Sequence, residues 1–215
     1  VEDSYADGFI VEGCGGVIIN YGNVTIINCN FTDNTAASSG GVLYNHYDSH
    51  ATITNSYFTS NMAYGDGGVC SNYGTLNVSN SSFRSNCACV YDDPVDIYAG
   101  YGGVFSSYDT LDINSCNFSD NSAAYCGGSI YNSYGSLIVN NSNIISSHAE
   151  DGGAIYNEDV FEIYNSIIEN SNAYYYRYYN GFGGAIYNNY GFITSSNTIY
   201  IQCSALCGGV VYNRN

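Results

Sequence analysis

The 215 residues carry 19 acidic side chains against three arginines and no lysine, a formal net charge of −16. A chain so short of cations has no basic face for a phosphate backbone, which excludes nucleic-acid binding, and anionic membranes repel it. Only 10% of residues are charged, so Asn, Ser, Thr, Gly and Tyr must make the surface, a composition common among secreted and cell-surface proteins.

Val1, Ser4 and Ala6 already fit the last third of a repeat that the rest of the chain spells out. The pair Gly-Gly occurs at 15–16, 40–41, 67–68, 102–103, 127–128, 152–153, 183–184 and 208–209, in steps of 25, 27, 35, 25, 25, 31 and 25 residues. A step that keeps returning to one value, lengthened only by insertions, marks a solenoid in which each repeat is one coil. Three short segments in each repeat alternate apolar and polar residues with a period of 2, the signature of strands. The first carries Ile18, Leu43, Cys70, Phe105, Ile130, Ile155, Ile186 and Val211. The second carries pairs such as Val24 and Ile26, or Leu111 and Ile113. The third carries Phe31, Phe58, Phe83, Phe118, Ile144, Ile168 and Tyr200. No stretch has helical spacing. The expected fold is all-β, a right-handed parallel β-helix of about eight coils of ~25 residues with three strands per coil. It reads as a single domain over 1–215 with both ends cut within a coil, the last after the first strand at Gly208–Asn213. No stretch of the chain reads as a membrane span.

Polar positions repeat as well. Asn20, Asn45, Asn72, Asn132, Asn157, Asn188 and Asn213 close the first strand, with Ser107 the exception. Asn34, Asn61, Asn86 and Asn121 follow the third-strand phenylalanine by three residues. Stacked amides can bond to one another and to turn backbone. The alanine two residues further on, from Ala36 to Ala205, indicates a tight corner.

Insertions near 90–101 and 174–182 leave the rod at that corner, where solenoids commonly place binding loops. The first holds Asp92, Asp93 and Asp96, a weak calcium candidate beside the plainer reading of a solvated acidic turn at Pro94. No other metal and no cofactor is expected. The second holds Tyr175, Tyr176, Arg177 and Tyr178, large rings around one cation, which is interface chemistry. Alternation points Tyr44, Tyr131, Tyr156, Tyr187 and Tyr212 out of the first strand, beside Val42, Val69, Val104, Ala154 and Val210. Just beyond lie Tyr21, Tyr47, Tyr73, Tyr108, Tyr134 and Tyr190. The expectation is a bare aromatic stripe along the rod that packs on another rod or takes flat ligands such as glycans.

Of the nine cysteines, Cys29, Cys70 and Cys116 read as small inward residues. Cys203 with Cys207, and Cys87 or Cys89 with Cys126, are candidate disulfides at the corners. Asn-x-Ser/Thr acceptors occur at Asn23, Asn30, Asn77, Asn80, Asn117 and Asn140, and Asn30 and Asn117 share an outward column.

Gly152-Gly153-Ala154-Ile155 and Gly183-Gly184-Ala185-Ile186, with Phe31-Thr-Asp-Asn34, Phe58-Thr-Ser-Asn61, Phe83-Arg-Ser-Asn86 and Phe118-Ser-Asp-Asn121, resemble the Gly-Gly-Ala-Ile and Phe-x-x-Asn motifs of polymorphic outer-membrane-protein repeats. The longer Gly-Gly-Ala-Ile-Tyr-Asn form is most similar to the adhesin-like surface proteins of methanogenic archaea. The resemblance implies an extracellular parallel β-helix used in adhesion or in a cell-surface layer. It implies no enzymatic role, and the residues agree. Asp92-Asp93 is the sole Asp-Asp pair, Gly-His-Gly is absent, and Arg-x-Lys cannot occur without lysine. His46, His50 and His148 are expected on turns with no triad spacing. The expected function is a structural, adhesin-like surface protein that self-associates end to end and laterally into a filament or layer, with other cell-surface proteins or glycans as further partners. The competing expectation is a carbohydrate-binding or carbohydrate-cleaving β-helix.

Overall fold

The computed structural model describes residues 5–6, 13–89, 100–174 and 181–214. These form a parallel β-solenoid of about seven turns, with no helix among the described residues, and hence none long enough to cross a membrane. The six coils from Ile18–Asn20 to Asn172–Ala173 each contribute one strand to each of four sheets. The first sheet runs from Ile18–Asn20 to Val211–Arg214, the second from Asn23–Ile27 to Phe192–Ser196, the third from Asn30–Thr32 to Ile199–Ile201. The fourth runs from Tyr5–Ala6 to Asn172–Ala173 in strands of two residues. The expectation of three strands per coil is thereby corrected to four. The alanine position is a short paired strand, with Ala36 opposite Ala63 and Ala88 opposite Ala123, and not a bare corner. His50 and His148 begin second- and fourth-sheet strands, which corrects their assignment to turns, while His46 is on one.

Equivalent residues face each other along the rod, as in Ile130↔Ile155 and Asn132↔Asn157, so every column seen in the sequence is a physical stack. Inward columns make the core. The rings of Phe31, Phe58, Phe83 and Phe118 stack with centroids 5.0, 5.0 and 4.9 Å apart. Phe105 of the first sheet meets Phe83 edge-on at 4.9 Å. Each such buried ring contributes about 1.5–3 kcal/mol over an exposed one. Cys70 and Cys116 are in this core and Cys29 packs against it.

Val42, Val69, Val104 and Ala154, expected outside, are in the core too. The amides of Val42 and Leu43 both bond to the carbonyl of Val69, at 2.9 Å each. One carbonyl facing two successive amides is a bulge-like pairing, and it turns two neighbouring side chains the same way. Val210 is exposed.

The corners have local causes. Between the second and third sheets one residue per coil is left-handed: Asn28, Asn55, Asn80, Ser115, Asn141, Asn165 and Asn197, with φ from 50° to 57°. Asn tolerates this region better than most residues, because its short polar side chain bonds locally. At the corner before the first sheet Gly102 has φ 67°, and a Cβ on Gly103 would drive into the carbonyl of Gly128 in the next coil.

Buried amides hold the inside of two other corners. Asn20 donates from Nδ2 to Oδ1 of Asn45 at 2.8 Å, Asn45 to Asn72 at 2.8 Å, and Asn72 to Oγ of Ser107 at 3.0 Å. Beyond the serine the column resumes, with Asn132, Asn157, Asn188 and Asn213 linked at 2.7 Å per step. Asn34, Asn61, Asn86 and Asn121 form a second ladder at 2.8, 3.0 and 3.1 Å. Burying an amide is costly unless its polar atoms are bonded, and stacking satisfies them except where Ser107 interrupts the column and leaves Oδ1 of Asn132 without a partner among the described residues.

Candidate interaction surface

Each first-sheet strand points its middle residue outward: Ile19, Tyr44, Ser71, Ser106, Tyr131, Tyr156, Tyr187 and Tyr212. The turn into the second sheet adds Tyr21, Tyr47, Tyr73, Tyr108, Tyr134 and Tyr190. The two columns compete for one strip of surface. Where the strand residue is serine, the turn ring folds inward, and Tyr73 and Tyr108 lie half-buried against Ser71 and Ser106. Where it is bulky, the turn ring is displaced into water, and Tyr21, Tyr47, Tyr134 and Tyr190 are 66%, 59%, 83% and 61% exposed.

The bare stripe is therefore corrected. Tyr131, Tyr156 and Tyr187 are only 9%, 8% and 5% exposed, packed among Tyr101, Tyr108, Cys126, Phe182 and Tyr212 in a second apolar cluster outside the coil. Tyr44 and Tyr212 are half-buried. The rings touch in an unbroken series: Tyr21 to His46 at 4.8 Å, His46 to Tyr44 at 6.3 Å, Tyr44 to Tyr73 at 5.5 Å, and Tyr73 stacked on Tyr108 at 4.6 Å. The series goes on from Tyr108 to Tyr131 at 6.0 Å, then to Tyr156, Tyr187 and Tyr212 at 5.4, 4.8 and 5.2 Å. Such contacts stabilise beyond the area they bury. Burial pushes the phenol of Tyr44 up to about 12 and raises those of Tyr73, Tyr108, Tyr131 and Tyr156 as well.

Carboxylates accept from the covered phenols. Tyr108 donates to Asp66 at 3.1 Å, and the other Asp66 oxygen takes the amides of Gly100 and Tyr101 at 3.2 and 3.1 Å. Glu158 accepts from Tyr131 and Ser133 at 2.9 and 2.8 Å, and from Tyr156 and Asn189 at 3.3 and 3.1 Å. Asp151 accepts the amide of Phe182 at 2.9 Å, and one oxygen of the buried Glu150 has no hydrogen-bond partner among the described residues. Burial, helped for Glu150 by the neighbouring Asp151, raises Glu150 to about 7 and Asp151 to about 6. Burial and these same acids hold the Cys126 thiol well above its usual range. The described acids, cysteines and histidines form no group able to hold a metal ion. Arg214 lies over the Tyr190 ring at 5.2 Å.

The other sequence candidates fall as follows. Cys87 and Cys89 are joined to each other, while Cys126, Cys203 and Cys207 are free, which corrects both candidate pairings. Cys126 packs into the tyrosine cluster, and Cys203 points at the carbonyls of Ile201 and Ile168. Cys87 and Cys89 flank Ala88 of the fourth sheet, which leaves the two thiols on one side of the chain. Asn23, Asn30, Asn77 and Asn117 are exposed. Asp92, Asp93, Asp96, Tyr175, Tyr176, Arg177 and Tyr178, and with them most of both insertions, lie outside the described residues. Sequence reasoning missed Asp66, Glu158, Tyr101 and Phe182. A signal existed for three of them, because the position before each Gly-Gly pair holds Asp66, Tyr101, Cys126, Asp151 and Phe182 in consecutive coils.

The model of the Chlamydia polymorphic membrane protein repeat matches residues 28–46 and 115–133. No curated protein and no solved structure matches the chain. Both matched stretches run from the end of a second-sheet strand to the end of a first-sheet strand one coil on, and so contain the third-strand phenylalanine, the buried asparagine and the Gly-Gly corner. The chain therefore carries polymorphic-membrane-protein-type repeats, wound into a parallel β-solenoid whose coils bear an aromatic ladder on one outer face.

Proposed function

We propose that the chain is a non-enzymatic structural rod of an adhesin-like, extracellular surface protein, and that rods associate laterally along the tyrosine edge and axially coil on coil. The repeat type and the solenoid fit a surface protein. The observation behind lateral association is the row of turn tyrosines, Tyr21, Tyr47, Tyr134 and Tyr190, held out in water at the edge of the first sheet. Rings this exposed offer large contact area at low entropic cost. The drive is non-ionic, so association survives high salt, which also screens the repulsion between chains of charge −16.

Electron microscopy of the purified protein tests this reading: filaments or sheets are expected. A variant carrying Tyr134→Ser and Tyr190→Ser should keep the native circular dichroism spectrum and lose lateral order. Dispersed rods at every concentration, with binding on a glycan array or turnover of a polysaccharide, would replace this reading with the carbohydrate one.

A further inference from the structure

We propose that Tyr47 is an oxidative cross-linking site, the point where one-electron oxidation of the aromatic ladder reaches solvent and joins two rods through a dityrosine bond. The inference rests on edge-to-edge approach of rods as proposed above, and adds a covalent modification at a named residue.

A tyrosyl radical couples only where its ring can meet another, so a buried radical must pass its oxidation along before it can react. The ladder gives it a route, with Tyr131, Tyr108 and Tyr73 spaced at 6.0 and 4.6 Å. Oxidation of a phenol also needs a proton acceptor, and Asp66 and Glu158 accept from Tyr108 and Tyr131 at 3.1 and 2.9 Å. Tyr47 is where this route opens to water: its ring is 5.0 Å from Tyr73 and it is 59% exposed. The His46 imidazole, 5.4 Å from the same ring, is a further base beside the outlet.

Exposure alone points elsewhere. Tyr134 is 83% exposed and Tyr57 is 62% exposed, both more than Tyr47, yet neither ring touches another aromatic among the described residues. Tyr21, 66% exposed, meets the ladder only through the His46 imidazole, so among the described residues Tyr47 is the exposed phenol whose ring packs directly on a ladder tyrosine.

The chemistry balances with a peroxide as oxidant and a haem peroxidase as catalyst. Two phenols each give up one electron and one proton, and hydrogen peroxide takes both electrons and both protons as its O–O bond breaks to yield two waters. The two phenoxyl radicals form one carbon–carbon bond between ring positions ortho to oxygen. Each ortho hydrogen then moves to its phenolic oxygen and restores the aromatic ring.

The test treats the whole chain with peroxidase and limiting peroxide, then reads covalent dimer on a denaturing gel, dityrosine fluorescence, and the joined peptides by mass spectrometry. Sizing before peroxide measures non-covalent association separately. Cross-links are expected chiefly between Tyr47-containing peptides. Tyr47→Phe should remove most of the dimer, and Tyr134→Phe and Tyr57→Phe should leave it unchanged. Tyr108→Phe, checked for native circular dichroism, should lower the Tyr47 yield while leaving Tyr47 in place. Cross-links mapped mainly to Tyr134 or Tyr57, or full dimer yield in Tyr47→Phe, would overturn the proposal, as would absence of covalent dimer. In that last case filaments seen before peroxide keep the assembly reading. Rods that stay dispersed before peroxide yet cross-link at Tyr47 would support this site and defeat the assembly reading.

Discussion

Asn86 shows why the buried amides cannot be exchanged singly. Its Nδ2 donates to Asn121 and to the Phe58 carbonyl, both at 3.1 Å, and its Oδ1 accepts the amide and the side chain of Asn61, both at 3.0 Å. Asn86→Ala strands those partners in a dry corner. A loss of about 2–4 kcal/mol is expected from the urea midpoint, because each buried polar atom left unpaired costs its desolvation. Ser82→Ala, half-buried on the third sheet of the same coil, should change stability by less than about 0.5 kcal/mol. Glu150 and Asp151 make a pH prediction. Both are raised by burial, to about 7 and about 6, so the folded rod holds their protons to higher pH than the unfolded chain does. The unfolded state then binds fewer protons between the two sets of values, and stability must fall as pH rises. The thermal midpoint should be highest near the ordinary carboxylate range, decline as pH rises through about 6 to 7, and level off above. Glu150→Gln should flatten about half of that decline, because Asp151 is raised by a comparable amount. A midpoint that rises over the same interval in the unaltered chain would show that these carboxyls are not buried as described.

At the scale of elements, the sequence was readable where one coil settles its own structure. The second and third strands alternate over enough residues to declare themselves, and the asparagine columns announced their ladders. The fourth sheet was hidden because two residues are too few to alternate, and Ala36 or Ala88 looks the same in a corner as in a strand. Val42 and Val104 were misplaced because the double bond to one carbonyl breaks the period of 2. The tyrosine face was only half legible. Its column is plain in the sequence, but its burial depends on a serine or a bulky residue beside each turn and on Asp66, which is 42 residues from the phenol it serves. Glycine supplies a test at this scale. A Cβ on Gly103 would drive into the carbonyls of Gly128 and Ser122, so Gly103→Ala should abolish soluble rod or cut its stability by more than about 3 kcal/mol, among the largest single-site effects. Gly22 has open space around it, and Gly22→Ala should be neutral or stabilise by up to about 1 kcal/mol through the unfolded chain. Thermal melts of the two variants, compared side by side, check both outcomes.

For the whole molecule, charge is far from balanced. The chain bears −16, and the one ion pair among the described residues, Arg84 with Asp120 at 3.8 Å, is exposed. Raising salt from about 0.01 M to about 0.1 M shortens the screening length from about 30 Å to about 10 Å, so the melting midpoint of isolated rods should climb over that range. A flat or falling midpoint would mean that repulsion is not what limits stability. The buried ladders also give the rod a sense of direction. Asn20 to Asn45 to Asn72, Asn132 to Asn157 to Asn188 to Asn213, and Asn34 through Asn121 all hand their amide hydrogens the same way, toward the later coil. Their dipoles add as a vector, and every link polarises the next. Two rods related by a dyad at their tips would bring donor against donor or acceptor against acceptor. Axial association of the kind proposed above would therefore be heterologous, one tip meeting the opposite tip of its neighbour, and a filament built that way would have two chemically different ends.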